Sequence, residues 1–150
     1  MENPKPILWG MLFACSSFLF MGCETNNTGL TFVPASGIIT LDGVPLAEAD
    51  VEFVPQNIQP NENGLGGSGG FANTDDQGRF EMYTASNAGV EPGTYLVKIR
   101  KTSQPEITDP EARVPPGKEM VPAQYNSKSD LVVELGDRGD TEIKFDLKSN

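Results

Sequence analysis

The sequence predicts an all-β protein, a sandwich of about seven antiparallel strands following an N-terminal export segment. Three observations carry this expectation. No stretch after Met21 has a helical period, and alternation with a period of two recurs instead. Turn signals containing glycine or proline fall between the alternating runs. Each run has one apolar and one polar face, as in antiparallel sheets packed on each other.

The first run, residues 37–41, ends at Asp42-Gly43, where glycine accepts the positive φ of a tight turn. In the next, Val51 and Phe53 face inward and Glu52 outward. Residues 70–74 form a third run, and Asp75-Asp76-Gln77-Gly78 reads as the short hairpin loop after it. Arg79-Phe80-Glu81-Met82-Tyr83 then places Phe80 and Met82 on one face. Glu91-Pro92-Gly93 leads into the longest run, 94–100, where Tyr95, Val97 and Ile99 alternate with Leu96, Lys98 and Arg100. Leu131, Val133 and Leu135 repeat the pattern, as do Ile143, Phe145 and Leu147 against Glu142, Lys144 and Asp146. Pro34, Pro45 and Pro55 fall at strand ends, where a missing amide donor costs little.

Two segments interrupt this rhythm. Residues 56–69 are rich in Asn and Gly, with Ile58 and Leu65 as the aliphatics, and predict a mobile loop. Residues 102–129 hold Pro105, Pro110, Pro115, Pro116 and Pro122 and are too long for a simple connection. Val121, Pro122 and Tyr125 supply apolar anchors there, so this loop is expected to be partly packed.

The N-terminal segment indicates a compartment. Lys5 precedes an apolar run, 7–21, which is shorter than the roughly 20 residues a membrane-spanning helix needs. The run ends at Gly22-Cys23, followed by polar Glu24-Thr25-Asn26-Asn27-Thr28. This resembles a lipobox, the cleavage site of bacterial lipoproteins, with Phe20 where leucine is usual. Residues 1–22 are then the signal peptide, 23–34 a lipidated polar tether, and 35–150 the folded domain. Leu12-Phe13-Ala14-Cys15 fits the cleavage preferences better, but cutting there would leave Phe18-Leu19-Phe20-Met21 exposed on the mature chain. An ordinary signal peptide or an uncleaved anchor is the alternative. With Cys23 acylated, the protein is expected in the bacterial cell envelope, facing the periplasm or the cell surface, its membrane partner held by two or more acyl chains.

Composition excludes several classes of chemistry. Both cysteines lie at or before Cys23, so the mature domain has neither a disulfide framework nor a thiolate metal site. There is no histidine, which removes the Ser-His-Asp triad, the Cys-His pair and the usual zinc site together. A net charge of −10 argues against nucleic acid and against electrostatic attachment to anionic lipid. Gly64-Leu65-Gly66-Gly67-Ser68-Gly69-Gly70 lacks the lysine and following helix of a phosphate loop. Calcium accepts carboxylate and carbonyl oxygens, and Asp75, Asp76 and Gln77, or Asp137 and Asp140, are the candidate ligands. Asp75-Asp76-Gln77-Gly78 nevertheless reads better as a β-turn in which Asp caps its own backbone, and no cofactor is expected.

Aromatic side chains raise carbohydrate binding. Trp9 belongs to the signal, and Tyr95, Phe80, Phe53 and Phe145 sit on predicted core faces. Tyr83 and Tyr125, with Asp75 and Asp76, make up the candidate binding surface.

As a set, these residues are recognisable. The stretch Ser36-Gly37-Ile38-Ile39-Thr40-Leu41-Asp42-Gly43-Val44-Pro45-Leu46 and its continuation to Pro55 resembles the opening of carboxypeptidase regulatory-like domains. Thr74-Asp75-Asp76-Gln77-Gly78-Arg79-Phe80 and Pro92-Gly93-Thr94-Tyr95-Leu96-Val97-Lys98-Ile99 are similar to that family too. Val121-Pro122-Ala123-Gln124-Tyr125-Asn126 and Ile143-Lys144-Phe145-Asp146-Leu147 look like the short planctomycete-type lipoproteins that carry this domain. The resemblance implies a transthyretin-like (prealbumin-like) sandwich of seven strands. It implies no peptidase activity, because nothing corresponds to the separate zinc peptidase domain. The expectation is a non-catalytic envelope module with a structural, adhesive or protein-binding role; the alternative is a carbohydrate or envelope-polymer binder, assisted by calcium.

Overall fold

The alternating runs become strands in a computed structural model that describes residues 29–103 and 116–149. In chain order these are β1 (Ala35–Leu41), β2 (Val44–Pro45), β3 (Asp50–Pro55), β4 (Gly70–Asn73), β5 (Arg79–Glu81), β6 (Tyr83–Thr84), β7 (Asn87–Ala88), β8 (Gly93–Arg100), β9 (Val132–Leu135) and β10 (Asp140–Leu147). The described residues contain no α-helix, only a 3-10 turn at Ala123–Tyr125. The protein is all-β.

The strands form two sheets. In the four-stranded sheet β1 is central, with β10 along one side and β5 and β2 sharing the other. The second sheet has six antiparallel strands in the order β7-β6-β4-β3-β8-β9. Asp42 and Gly43, at φ of 53° and 83°, close the β1–β2 hairpin with the left-handed pair that a two-residue turn requires.

Three expectations need correction. There are ten strands, not seven, because β2, β6 and β7 are two-residue strands too short to show an alternating pattern. The run Arg79-Phe80-Glu81-Met82-Tyr83 is divided between sheets: β5 pairs with β1, whereas Tyr83 pairs with Phe71 of β4. Met82 is the crossing point, its amide donating to the Ala35 carbonyl and its own carbonyl accepting from Gly89. Nor is the fold wholly antiparallel, since β1 and β10 run parallel, Gly37 opposite Ile143 and Leu41 opposite Leu147. A parallel pair buried on both faces would read as continuously apolar. Here only the inner face is covered, so the pair keeps the alternation of an antiparallel one. At Gly37 the two strands come so close that a Cβ would overlap the Ile143 carbonyl.

Both sheets contribute to one core. Phe53 of β3 meets Phe80 of β5 edge-on at 6.3 Å, and Phe80 stacks on Phe145 of β10 at 6.2 Å. Tyr95 of β8 lies 5.7 Å from Phe53, fully buried, and its hydroxyl donates to the Glu91 carbonyl at 2.7 Å. Burial pushes the Tyr95 phenol up to about 12, with the nearby Glu91 charge adding to it. Burying each such ring contributes about 1.5–3 kcal/mol. At the far end of the sheet Asp42 accepts a bond from the Ser149 amide. Hydrogen bonding from Ser149, with a smaller contribution from Lys148, lowers the Asp42 carboxyl below its ordinary value.

The irregular segments are tied to this frame. Ile58 packs half-buried against the core, and the Gly67 amide donates to Glu91 Oε2 at 2.7 Å, so the 56–69 loop is anchored at two places. Val121 is buried in the core and Tyr125 packs against it, while buried Asn126 donates to the Val121 and Pro122 carbonyls. Packing at the N-terminal side begins with Val33, buried and bridged to Val90. Residues 1–28, which hold the expected signal peptide, Cys15, Cys23 and the start of the expected tether, lie outside the described residues, as do residues 104–115. Among the described residues no helix is long and apolar enough to cross a membrane.

Candidate binding cleft

The residues that alternate into the core on β5, β1 and β10 leave their neighbours pointing out. Phe80 and Ile143 are buried, so Arg79 and Glu81 on β5, and Glu142 and Lys144 on β10, face solvent. Between them, on β1, are Ser36 and Ile38, both partly buried. Ile38 is in register with Arg79 on one side and Lys144 on the other. Ser36 is in register with Glu81, and Glu142 immediately precedes Ile143, the partner of Gly37. The outer face therefore carries Arg79 and Lys144 in one row across Ile38, with Glu81 and Glu142 each two residues away along its own strand, about 7 Å by strand geometry, and the β1–β10 register shifts beside Glu142.

This face is the floor of a cleft of about 1070 Å³. Its wall comes from the other sheet, where Phe71, Ala72 and Asn73 of β4 stand with Tyr83 of β6. Phe71 and Tyr83 are cross-strand partners, 61% and 44% exposed, and present an aromatic pair to the opening. Large apolar side chains exposed together in a concavity are uncommon on a soluble surface. A smaller hollow of about 320 Å³ continues the cleft toward Phe32 and Ala88, sharing Ser36, Glu81 and Thr141 with it.

The charges on the floor are uncommitted. Among the described residues the single ion pair is Lys98 with Glu52, 3.9 Å apart on the outer face of the six-stranded sheet. The side chains of Arg79, Glu81, Glu142 and Lys144 make neither a hydrogen bond nor an ion pair to a described residue.

Of the residues singled out in the sequence, Tyr83 and Asp75 come together in this cleft. Tyr125 and Asp76 do not line it. Tyr125 is half-buried against the core, and its hydroxyl accepts a bond from the Lys148 amide at 3.0 Å. Asp76 is exposed in the β4–β5 turn. One carboxylate oxygen of Asp75 accepts bonds from the amides of Gln77 and Arg79, each at 2.8 Å, so this side chain caps its own turn. Asp140 does likewise for the Glu142 amide. Among the described residues no three carboxylates or other ligating groups are clustered to hold a metal ion.

No family model, curated protein or solved structure matches this chain. What the cleft can do is therefore a matter of its own chemistry. It offers an apolar aromatic ledge, two cationic side chains and the carboxyl groups of Glu81 and Glu142. Phe71, Arg79, Glu81, Glu142 and Lys144 were not singled out in the sequence as site residues. The one signal pointing to Phe71 was its phase: Gly70 and Ala72 share a face with Phe53 and Val51, which leaves an aromatic ring outside.

Proposed function

We propose that this chain is a non-catalytic binding module of the bacterial cell envelope, anchored through a lipidated Cys23 and holding a protein partner in the cleft. The observation that carries the reading is a concave surface combining the exposed Phe71–Tyr83 pair with four charges that have no side-chain partner among the described residues. Such a surface suits a partner that buries the rings and satisfies the charges. The export segment before Cys23 supports the envelope location, on its periplasmic or outer side. The acidic chain argues against nucleic acid as the partner.

The resemblance to carboxypeptidase regulatory-like lipoproteins belongs to the same proposal. Seven strands longer than two residues, divided between two sheets over one core, support a transthyretin-like sandwich. The non-catalytic reading rests on the cleft's chemistry. Glu81 and Glu142 flank Ser36 as a carboxylate pair, but both are exposed to water. A general acid in such a pair needs a desolvated site that keeps its proton at neutral pH.

The test uses the full-length lipidated protein. Mild cross-linking of membranes should capture an envelope protein, and Phe71→Ser with Tyr83→Ser should abolish that capture. Equal capture by the double variant would remove the cleft from the reading. The exposed aromatic pair also favours a second reading, an envelope polysaccharide stacked on the rings; retention on that polymer, lost in the same variant, distinguishes it. If calcium assists, millimolar calcium should raise the melting temperature, and an unchanged value discards that addition. Fatty-acid labelling should be lost in Cys23→Ser and kept in Cys15→Ser; labelling that survives Cys23→Ser refutes the anchor.

A further inference from the structure

We infer that the cleft takes an extended polypeptide segment in which side chains of opposite charge alternate at every second residue. The inference rests on the binding-module reading and names the chemistry of its partner. On the floor, Arg79 and Lys144 lie at the level of Ile38, Glu81 lies at the level of Ser36, and Glu142 sits in the register shift of β10 opposite the step from Ala35 to Gly37. On β5 the opposite charges of Arg79 and Glu81 are thus separated along the strand by two residues of rise, about 7 Å, and on β10 Lys144 and Glu142 are likewise two residues apart. An extended peptide repeats on one face with the same two-residue period. Laid along β1, it would set an acidic side chain between Arg79 and Lys144, and a basic one between Glu81 and Glu142. Ser36 and Ile38 would lie beneath it, and Phe71 and Tyr83 would cover its flank.

Other occupants satisfy less of this surface. A neutral glycan would use the aromatic ledge but leave four charges without counterions. A polyanion would meet Glu81 and Glu142 as repulsive neighbours. A second copy, turned about a two-fold axis, would bring Arg79 over the partner's Glu81 and Lys144 over the partner's Glu142. Each floor is recessed beside its aromatic wall, however, so two such faces would enclose an unfilled space.

The experiment measures binding of a synthetic peptide repeating Lys-Thr-Glu-Thr to the full-length protein in detergent micelles. The control peptide has the same composition, with its lysines gathered in one half and its glutamates in the other. The alternating peptide should bind at least about tenfold more tightly than the control, and 1 M salt should largely erase the difference. Arg79→Ala with Lys144→Ala should lose the preference, as should Glu81→Gln with Glu142→Gln, each with an unchanged melting temperature. Equal binding of the two peptides overturns the inference, as does a preference that survives both double variants. Dimerisation abolished by the same variants would overturn it in favour of a second copy. If these variants leave capture of the envelope protein intact while Phe71→Ser with Tyr83→Ser abolishes it, the charge rule falls and the module reading stands. If neither set affects capture, both fall.

Discussion

The inner and outer faces of β5, β1 and β10 belong to the same strands and differ in almost everything else. Inside, Phe80 stacks on Phe145 and meets Phe53 across the sheets, while Gly37 lets β10 approach without a gap. Outside, Arg79, Glu81, Glu142 and Lys144 stand exposed, and no ion pair neutralises them among the described residues. One face commits every atom to its neighbours; the other keeps its groups available. The contrast teaches a division between the two phases of each strand, in which the inward phase packs the core and the outward phase stays exposed.

Substitutions can break the comparison. The largest effect should come from Phe80→Ala, which removes a ring held by two others and should cost about 3–5 kcal/mol in a denaturant titration. A loss below 1 kcal/mol would mean that the sheets close over the vacated space. Gly37→Val inserts bulk where the Ile143 carbonyl sits and should cost about 3 kcal/mol. Hydrogen exchange should then quicken in β10 before it does in β8, because β10 is the strand displaced. Tyr95→Phe leaves the Glu91 carbonyl without its donor and should cost about 1 kcal/mol near neutral pH.

That last loss has a pH signature. The folded phenol titrates near 12, above its ordinary 10.0, so the neutral form is favoured by folding. The associated stability is complete below pH 10 and declines as the pH rises toward 12. Wild type should lose stability over that range in excess of Tyr95→Phe, and parallel curves would contradict the assignment.

The outer face should behave differently. Alanine at Arg79, Glu81, Glu142 or Lys144 should change stability by less than about 0.5 kcal/mol each, since none has a side-chain partner among the described residues. A larger drop at any of them would show that the outer face also stabilises the fold. The smallest effect belongs to Asp42, whose lowered carboxyl favours the ionised, folded form above its ordinary range. That contribution fades as the pH falls through the folded value, and NMR titration should place the Asp42 midpoint below 3.8. A midpoint at or above 3.8 would remove the Ser149 bond from solution.

Much of the inner face was legible in the sequence. Phe53, Phe80, Tyr95 and Phe145 occupy the core positions their alternation predicts, and Asp42-Gly43 makes its turn. Those are local properties, and a period of two is a local signal. The pairing of the first strand with the last, in parallel, joins residues separated by most of the chain and leaves no local trace. The switch at Met82 was hidden for a related reason, since a strand that changes sheets keeps its alternation while it changes partners. The cleft was half legible: Tyr83 and Asp75 are in it, but Phe71 and the charged rows join them only because β4 and β5 enter different sheets. Tyr125 looked equally available, and only the fold shows its ring against the core and its hydroxyl on Lys148.

The placement of β1 has a mechanical consequence. It is the central strand of its sheet, the floor of the cleft, and the first strand of the chain. If the proposed anchor and the proposed partner both hold, a pull between them would run along β1. The hydrogen bonds to β10 and β5 lie across that direction, so they would be loaded together in shear and not opened one after another. Resistance to tension would then grow with the number of paired residues, and β10, following β1 from Ala35 to Leu41, supplies the longest such seam.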